Sequence, residues 1–123
     1  MKVGSSIIAF LGLMAVCSCS APKSEMSTLV NNSLQIATVQ SKLMAENLLN
    51  EEEKLPRTIG KDGKLMTSKA KWWTSGFFPW VLWYLYEVNQ DDSLKMYAEN
   101  YTKRIENEKY TTDNHDVGIY VVL

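Results

Sequence analysis

Cysteine is scarce and badly placed for structure: the 123-residue chain has two, Cys17 and Cys19, both near its start. Nothing downstream of them can form a disulfide framework or a cysteine-based metal site. Histidine occurs once, at His115, and no cluster of metal-ligating residues stands in the sequence. No metal and no cofactor is expected. Charge of one sign is also missing. The 13 basic and 14 acidic residues leave a formal net charge of −1, so nothing electrostatic favours nucleic acid or an anionic membrane surface. A long hydrophobic run is absent too. Ile7 to Val16 is apolar for ten residues, too few to cross a hydrocarbon core of ~30 Å as a helix. The length allows one small domain at most.

What is present near the start is an export signal. Lys2 gives a positive n-region, Ile7–Val16 an h-region, and the stretch closes on VCSCS. Val16, Cys17, Ser18 and Cys19 fit the pattern of a lipoprotein signal: an aliphatic residue at −3, a small one at −1, then cysteine. Cys19 is the expected lipidated residue; Cys17 fits less well, because Val16 would occupy −1. A plain secretory signal is the simpler alternative. The expected organisation is a signal peptide over 1–18, a tether over 19–26 and a folded portion over 27–123. The expected location is the periplasm or outer membrane of a bacterium, with acyl chains on Cys19 as the membrane contact.

The folded portion alternates two kinds of helix. Ser27-Thr28 can cap a helix running to about Asn50. Val30, Leu34, Ala37, Met44 and Leu48 share one face at i+3/i+4 spacing, with Ile36, Val39 and Leu43 beside them. Leu55 to Lys71 reads as a loop region: Pro56 blocks a helix, and Lys61-Asp62-Gly63-Lys64 carries a turn signal that permits a short hairpin. All four tryptophans then fall between Trp72 and Trp83. From Phe77 to Tyr86 every residue is apolar or aromatic, which predicts a helix buried all round, with Thr74 or Ser75 as N-cap and Pro79 in the first turn. A buried strand competes, since aromatics and valine suit strands. Asp91-Asp92-Ser93 caps a second amphipathic helix whose stripe is Leu94, Tyr97, Ala98, Tyr101 and Ile105, ending near Glu108. The sum is three helices with no convincing sheet. Three helices cannot enclose the Phe77–Tyr86 helix on every side, so something else must cover it.

The segments LPRTI, DGKLMTSK, WWTSGFFPWVLWYLYE and YAENYTKRIENEKYTTDNHDVG resemble the N-terminal part of the unsaturated glucuronyl hydrolases, glycoside hydrolase family 88, from about Leu29 to Gly118. W-T-S-G-F-x-P followed at this distance by H-D-x-G is a specific pair of motifs. The resemblance implies an all-α fold, the N-terminal part of an incomplete (α/α)6 barrel, in which buried inner helices alternate with amphipathic outer ones. It also implies a substrate class: oligosaccharides ending in a 4,5-unsaturated uronic acid, as a polysaccharide lyase leaves them. The implied reaction is vinyl ether hydration. A carboxylic acid protonates C4, water adds at C5, and the hemiketal opens to release the sugar. That differs from two-carboxylate displacement, but still needs an acid that remains protonated. The rhamnogalacturonyl hydrolases are a neighbouring group with the same barrel and chemistry.

By the same resemblance Asp116 is the first of two catalytic aspartates, the second lying beyond residue 123. His115 is its neighbour in the sugar pocket, and Trp73 is a wall on which the uronate ring stacks. Each has a structural counterpart. Asp116 also suits a helix N-cap, His115 a structural hydrogen bond, and Trp73 a place in the core. Trp80 departs from the family pattern, which has a small residue after F-x-P. The ending departs as well: family members continue H-D-V-G-F-M-x-Y, where this chain has HDVGIYVVL. One inserted adenine after the Gly118 codon turns a sequence encoding G-F-M-L-Y into one encoding G-I-Y-V-V-L. A frameshifted, truncated gene product without turnover of its own is therefore the expectation, with an ordinary divergent terminus or a gene-calling cut as the alternative. The rival is a non-catalytic carbohydrate-binding lipoprotein using Trp72, Trp73 and Trp80 as a stacking surface.

Overall fold

The structure is a computed structural model and describes residues 25–112. Cys19, His115 and Asp116 lie outside the described residues. Helix α1 spans Glu25–Asn47, strands β1 and β2 span Leu55–Ile59 and Leu65–Ser68, and helices α2 and α3 span Phe77–Asn89 and Asp92–Ile105. A 3-10 helix, Glu106–Tyr110, follows α3 directly. The described residues are thus mainly helical, as the sequence implied. No helix among them is long and apolar enough to cross a membrane.

Helices α2 and α3 form an antiparallel pair around the two-residue corner Gln90-Asp91. Phe78 at the start of α2 meets Tyr101 near the end of α3 edge to face, with ring centroids 4.9 Å apart. All five residues of the predicted α3 stripe are buried, and Phe78, Leu82 and Leu85 face them from α2. Burial of this kind stabilises by roughly 2 kcal/mol for each large apolar side chain. The corner is chemically specified on both sides. Gln90 closes α2 in the left-handed region, at φ 53°, and its N–H donates to the Tyr86 carbonyl. Asp91 caps α3 by accepting from the Ser93 N–H at 2.9 Å, which satisfies one of the helix's free N–H groups. Its other carboxylate oxygen accepts from Lys42 Nζ at 2.8 Å, so the corner is held to α1. These bonds, the Lys42 and Ser93 donors above all, keep the Asp91 carboxyl well below the usual carboxylate range.

Helix α1 turns the predicted face to the core at Leu34, Ala37, Met44 and, just past its end, Leu48, but not at Val30 or at the flanking positions. Val30 is exposed, and so are Ile36, Val39 and Leu43. The buried positions in the helix are Ser41 and Ala45, with Leu34, Ala37 and Met44 packed at the edge of the core. The reason is steric. Small side chains let the α1 backbone approach α3 closely enough for the Tyr101 hydroxyl to donate to the Ala45 carbonyl at 2.8 Å. Ser27 and Thr28 lie inside the first turn and do not cap it, while Glu25 and Met26, expected in the tether, are helical. The helix also ends three residues short of Asn50, because the carbonyls beyond it are captured from outside. Arg104 donates to the carbonyls of Leu48, Leu49, Glu51 and Lys54 at 2.9–3.0 Å. Its guanidinium lies over the Tyr101 ring, 4.0 Å from the centroid.

The predicted loop over residues 55–71 contains a two-stranded antiparallel sheet, correcting the expectation of no sheet. Gly63, at φ 77°, makes the turn possible, and the Lys64 N–H donates to the Asp62 carboxylate at 3.2 Å. The register pairs Pro56 with Thr67 and Thr58 with Met66, which leaves Arg57 as the extra residue of a bulge. Leu55, fully buried, fastens the hairpin to the helical core.

Helix α2 is a helix and not a strand, but it begins at Phe77, and Trp72–Gly76 form turns before it. Only one of its faces is covered. Phe77, Trp80, Tyr84 and Val88 are exposed, with Trp80 stacked on Tyr84 at 6.2 Å between centroids. Trp80 therefore points away from the core formed by the described residues.

Candidate functional site

The turns before α2 position the aromatic residues that the sequence singles out. The Ser75 N–H donates to the Trp72 carbonyl at 2.9 Å, and the Phe77 N–H to the Thr74 carbonyl at 3.1 Å. Ser75 is fully buried, and its hydroxyl donates to the Ala70 carbonyl at 2.5 Å. That bond corrects the predicted cap: Gly76 is the N-cap residue of α2 and no side chain caps it. Ser75 closes the preceding turn, while the Thr74 hydroxyl is buried with no partner among the described residues. Pro79 sits in the first turn, where its missing N–H costs nothing, and it is buried.

The result is a paired aromatic display. Trp72 and Trp73 are 38% and 48% exposed, and Trp80 is 54% exposed. Trp73 packs edge to face on Phe77, with centroids 6.3 Å apart. Phe77 in turn lines a cavity of about 310 Å³ between the hairpin and the α1–α2 contact, whose floor includes Met44, Phe78 and Val81. Polar groups at this cavity come from Arg57, Thr58 and Thr74. An apolar floor with a few polar groups at its edge is the usual form of a small-ligand site.

Trp73 is thus the one predicted site residue that the described residues contain. Its ring is half exposed and packs on Phe77, which lines the cavity. Asp116 and His115 lie outside the described residues, as does Cys19. Among the described residues no group of three or more His, Cys, Asp or Glu is placed to hold a metal ion. Sequence reasoning missed Arg57. Its guanidinium carbon lies 4.0 Å from the centre of the Trp72 ring, a cation–π distance. The bulge that aims it there leaves no periodic signal in LPRTI.

No family model matches the chain. In sequence it is similar to the unsaturated glucuronyl hydrolase of Formosa agariphila, 40% identical over 52 residues that make up 42% of this chain and 13% of that protein. It is also similar to the unsaturated chondroitin disaccharide hydrolase of Streptococcus agalactiae, 29% identical over 106 residues, 79% of this chain and 26% of that protein. In structure it is similar to an unsaturated glucuronyl hydrolase specific for heparin, with a TM-score of 0.59 and 28% identity over 73% of this chain and 25% of the other. The chain spans about a quarter or less of the length of these relatives. An amphipathic helix, a hairpin and a half-covered aromatic helix paired with a second amphipathic one are therefore a part of an (α/α)6-barrel glycosidase fold. Within that class, the chain is like the unsaturated glucuronyl hydrolases of glycoside hydrolase family 88 over the portion matched.

Proposed function

We propose that this chain carries part of a saccharide site of the unsaturated glucuronyl hydrolase type, and that its ligand is a 4,5-unsaturated uronic acid at the end of a lyase-generated oligosaccharide. The observation that supports this is the joint sequence and fold likeness to proteins named for that activity. A pyranose presents an apolar C–H face, and a half-exposed indole supported edge-on by Phe77 offers a flat surface to receive it. Asp116 supplies the first carboxyl group of the hydration and His115 its neighbour. Among the described residues the cavity beside Phe77 has no carboxylate in its lining, and the reading assigns protonation of C4 to Asp116 together with a second acid. On this reading the chain binds the sugar without turnover of its own.

Turnover is read as loss of the ultraviolet absorbance of the conjugated enol ether in an unsaturated chondroitin or heparin disaccharide. The proposal expects none from the purified chain, and activity abolished by Asp116→Asn would show that the chain is a complete catalyst. A second reading, a non-catalytic carbohydrate-binding lipoprotein, draws on the exposure of Trp72, Trp73 and Trp80. It predicts that saturated oligosaccharides quench tryptophan fluorescence as well as unsaturated ones do. Export and anchoring through Cys19 complete the proposal. Mass spectrometry of the membrane fraction is expected to find an acylated N-terminal Cys19, and a soluble product that retains residues 1–18 would refute the anchor.

A further inference from the structure

We propose that Arg57 is an anion-recognising residue of this site, taking a carboxylate or sulfate group carried by a sugar seated against Phe77 and Trp73. The inference rests on the saccharide reading above, and three observations carry it. The first is the bulge: Arg57 is the one residue of β1 with no partner across the ladder, and bulges commonly re-aim a side chain beside a functional site. The second is its posture. The guanidinium is held over Trp72, its carbon 4.0 Å from the ring centre. Among the described residues it has no hydrogen-bond or ion-pair partner, whereas each of the three side-chain nitrogens of Arg104, the other stacked arginine, donates a hydrogen bond. The third is its location. Arg57 lines the same cavity as Phe77 and the unpartnered Thr74 hydroxyl. A planar fork of donors pre-set beside an apolar floor matches an anionic group attached to a pyranose.

The probes are an unsaturated heparin disaccharide bearing sulfate, its desulfated form bearing only the carboxylate, and a carboxyl-reduced, desulfated form bearing neither. Each is titrated calorimetrically into the full chain. The wild type is expected to bind an anionic probe about tenfold or more tightly than the neutral one, the difference that a charge-assisted hydrogen bond supplies. Arg57→Gln removes that difference and Arg57→Lys restores part of it, with the neutral probe unaffected. If the desulfated probe keeps the dependence on Arg57 the carboxylate is the group recognised; if it loses it, the sulfate is. Equal binding of the anionic probes by wild type and Arg57→Gln overturns the assignment of Arg57 and leaves the saccharide site intact. Failure of the wild type to bind any of the three overturns both. Arg57 is exposed, and superimposable thermal melts of the variants check that the fold is unchanged.

Discussion

Arg104 offers the sharpest test of how this small unit holds together. Its side chain replaces what α1 loses by stopping at Asn47: four backbone carbonyls of the segment from Leu48 to Lys54 accept from two of its nitrogens. The Leu48 and Leu49 carbonyls are partly buried, and each bond to them contributes about 1 kcal/mol; the exposed Glu51 and Lys54 carbonyls can turn to water and are worth much less. Stacking on Tyr101 adds about 0.5–1 kcal/mol. Arg104→Met keeps the stem and should cost about 3 kcal/mol in all, or on the order of 15 °C in melting temperature for a domain of this size. Arg104→Lys keeps the charge but not the fork, and is expected to recover less than half of that loss. Urea denaturation with an unchanged slope reads the difference. Because the same segment leads into Leu55 and β1, the Met variant should also loosen the hairpin, seen as faster amide exchange across β1 and β2. If Arg104→Met unfolds within about 0.5 kcal/mol of the wild type, the picture of Arg104 as the clasp of the α1 end is wrong.

Three further outcomes follow from named contacts. Tyr101→Phe removes the bond to the Ala45 carbonyl and should cost about 1 kcal/mol at neutral pH. Burial raises the Tyr101 hydroxyl above its ordinary 10.0; the stability tied to it is complete below pH 10.0 and falls as pH rises past that value, so the Phe variant should show a flatter alkaline limb in pH-dependent melts. Asp91 behaves in the opposite sense. Its carboxyl is depressed from 3.8 by Lys42 and Ser93, its contribution is present above pH 3.8 and is lost on acidification below it, and Asp91→Asn should flatten the acid limb of urea midpoints against pH. Gly63→Ala meets no neighbouring atom within 4 Å but must hold φ 77°, so a loss of about 1 kcal/mol is expected from backbone strain alone, read by chemical denaturation.

How much of this was legible depended on which force wrote each segment. Helix α3 was readable in its cap and its five-residue stripe, which agree, but not in its end, expected near Glu108 and found at Ile105, where a 3-10 helix takes over. Helix α2 was readable as a helix but not in its start, since Ser75 has two competing uses and closing the turn onto Ala70 wins over capping. Helix α1 was readable in its stripe from Leu34 to Leu48 but not in its width: Ile36, Val39 and Leu43 beside it stay exposed, because the close approach is made at the small residues Ser41 and Ala45, which hydrophobicity does not weigh. The hairpin was only permitted by its Asp62-Gly63 turn, because four- and five-residue strands with a bulge have no clean alternation. At the candidate site, Trp73 was visible through the W-T-S-G motif. Arg57 was not, since its role comes from a two-against-one register that appears only when the strands pair.

Trp73 is the sugar platform proposed above, packed on Phe77 at the cavity. The direct measurement is saturation-transfer NMR of an unsaturated uronyl disaccharide with the full chain and with Trp73→Ala, whose ring is half exposed and whose loss leaves the core intact. Transfer strongest to the uronate ring protons in the wild type, and lost in the variant, is the predicted result. Undiminished transfer in Trp73→Ala, or none in the wild type, would contradict it.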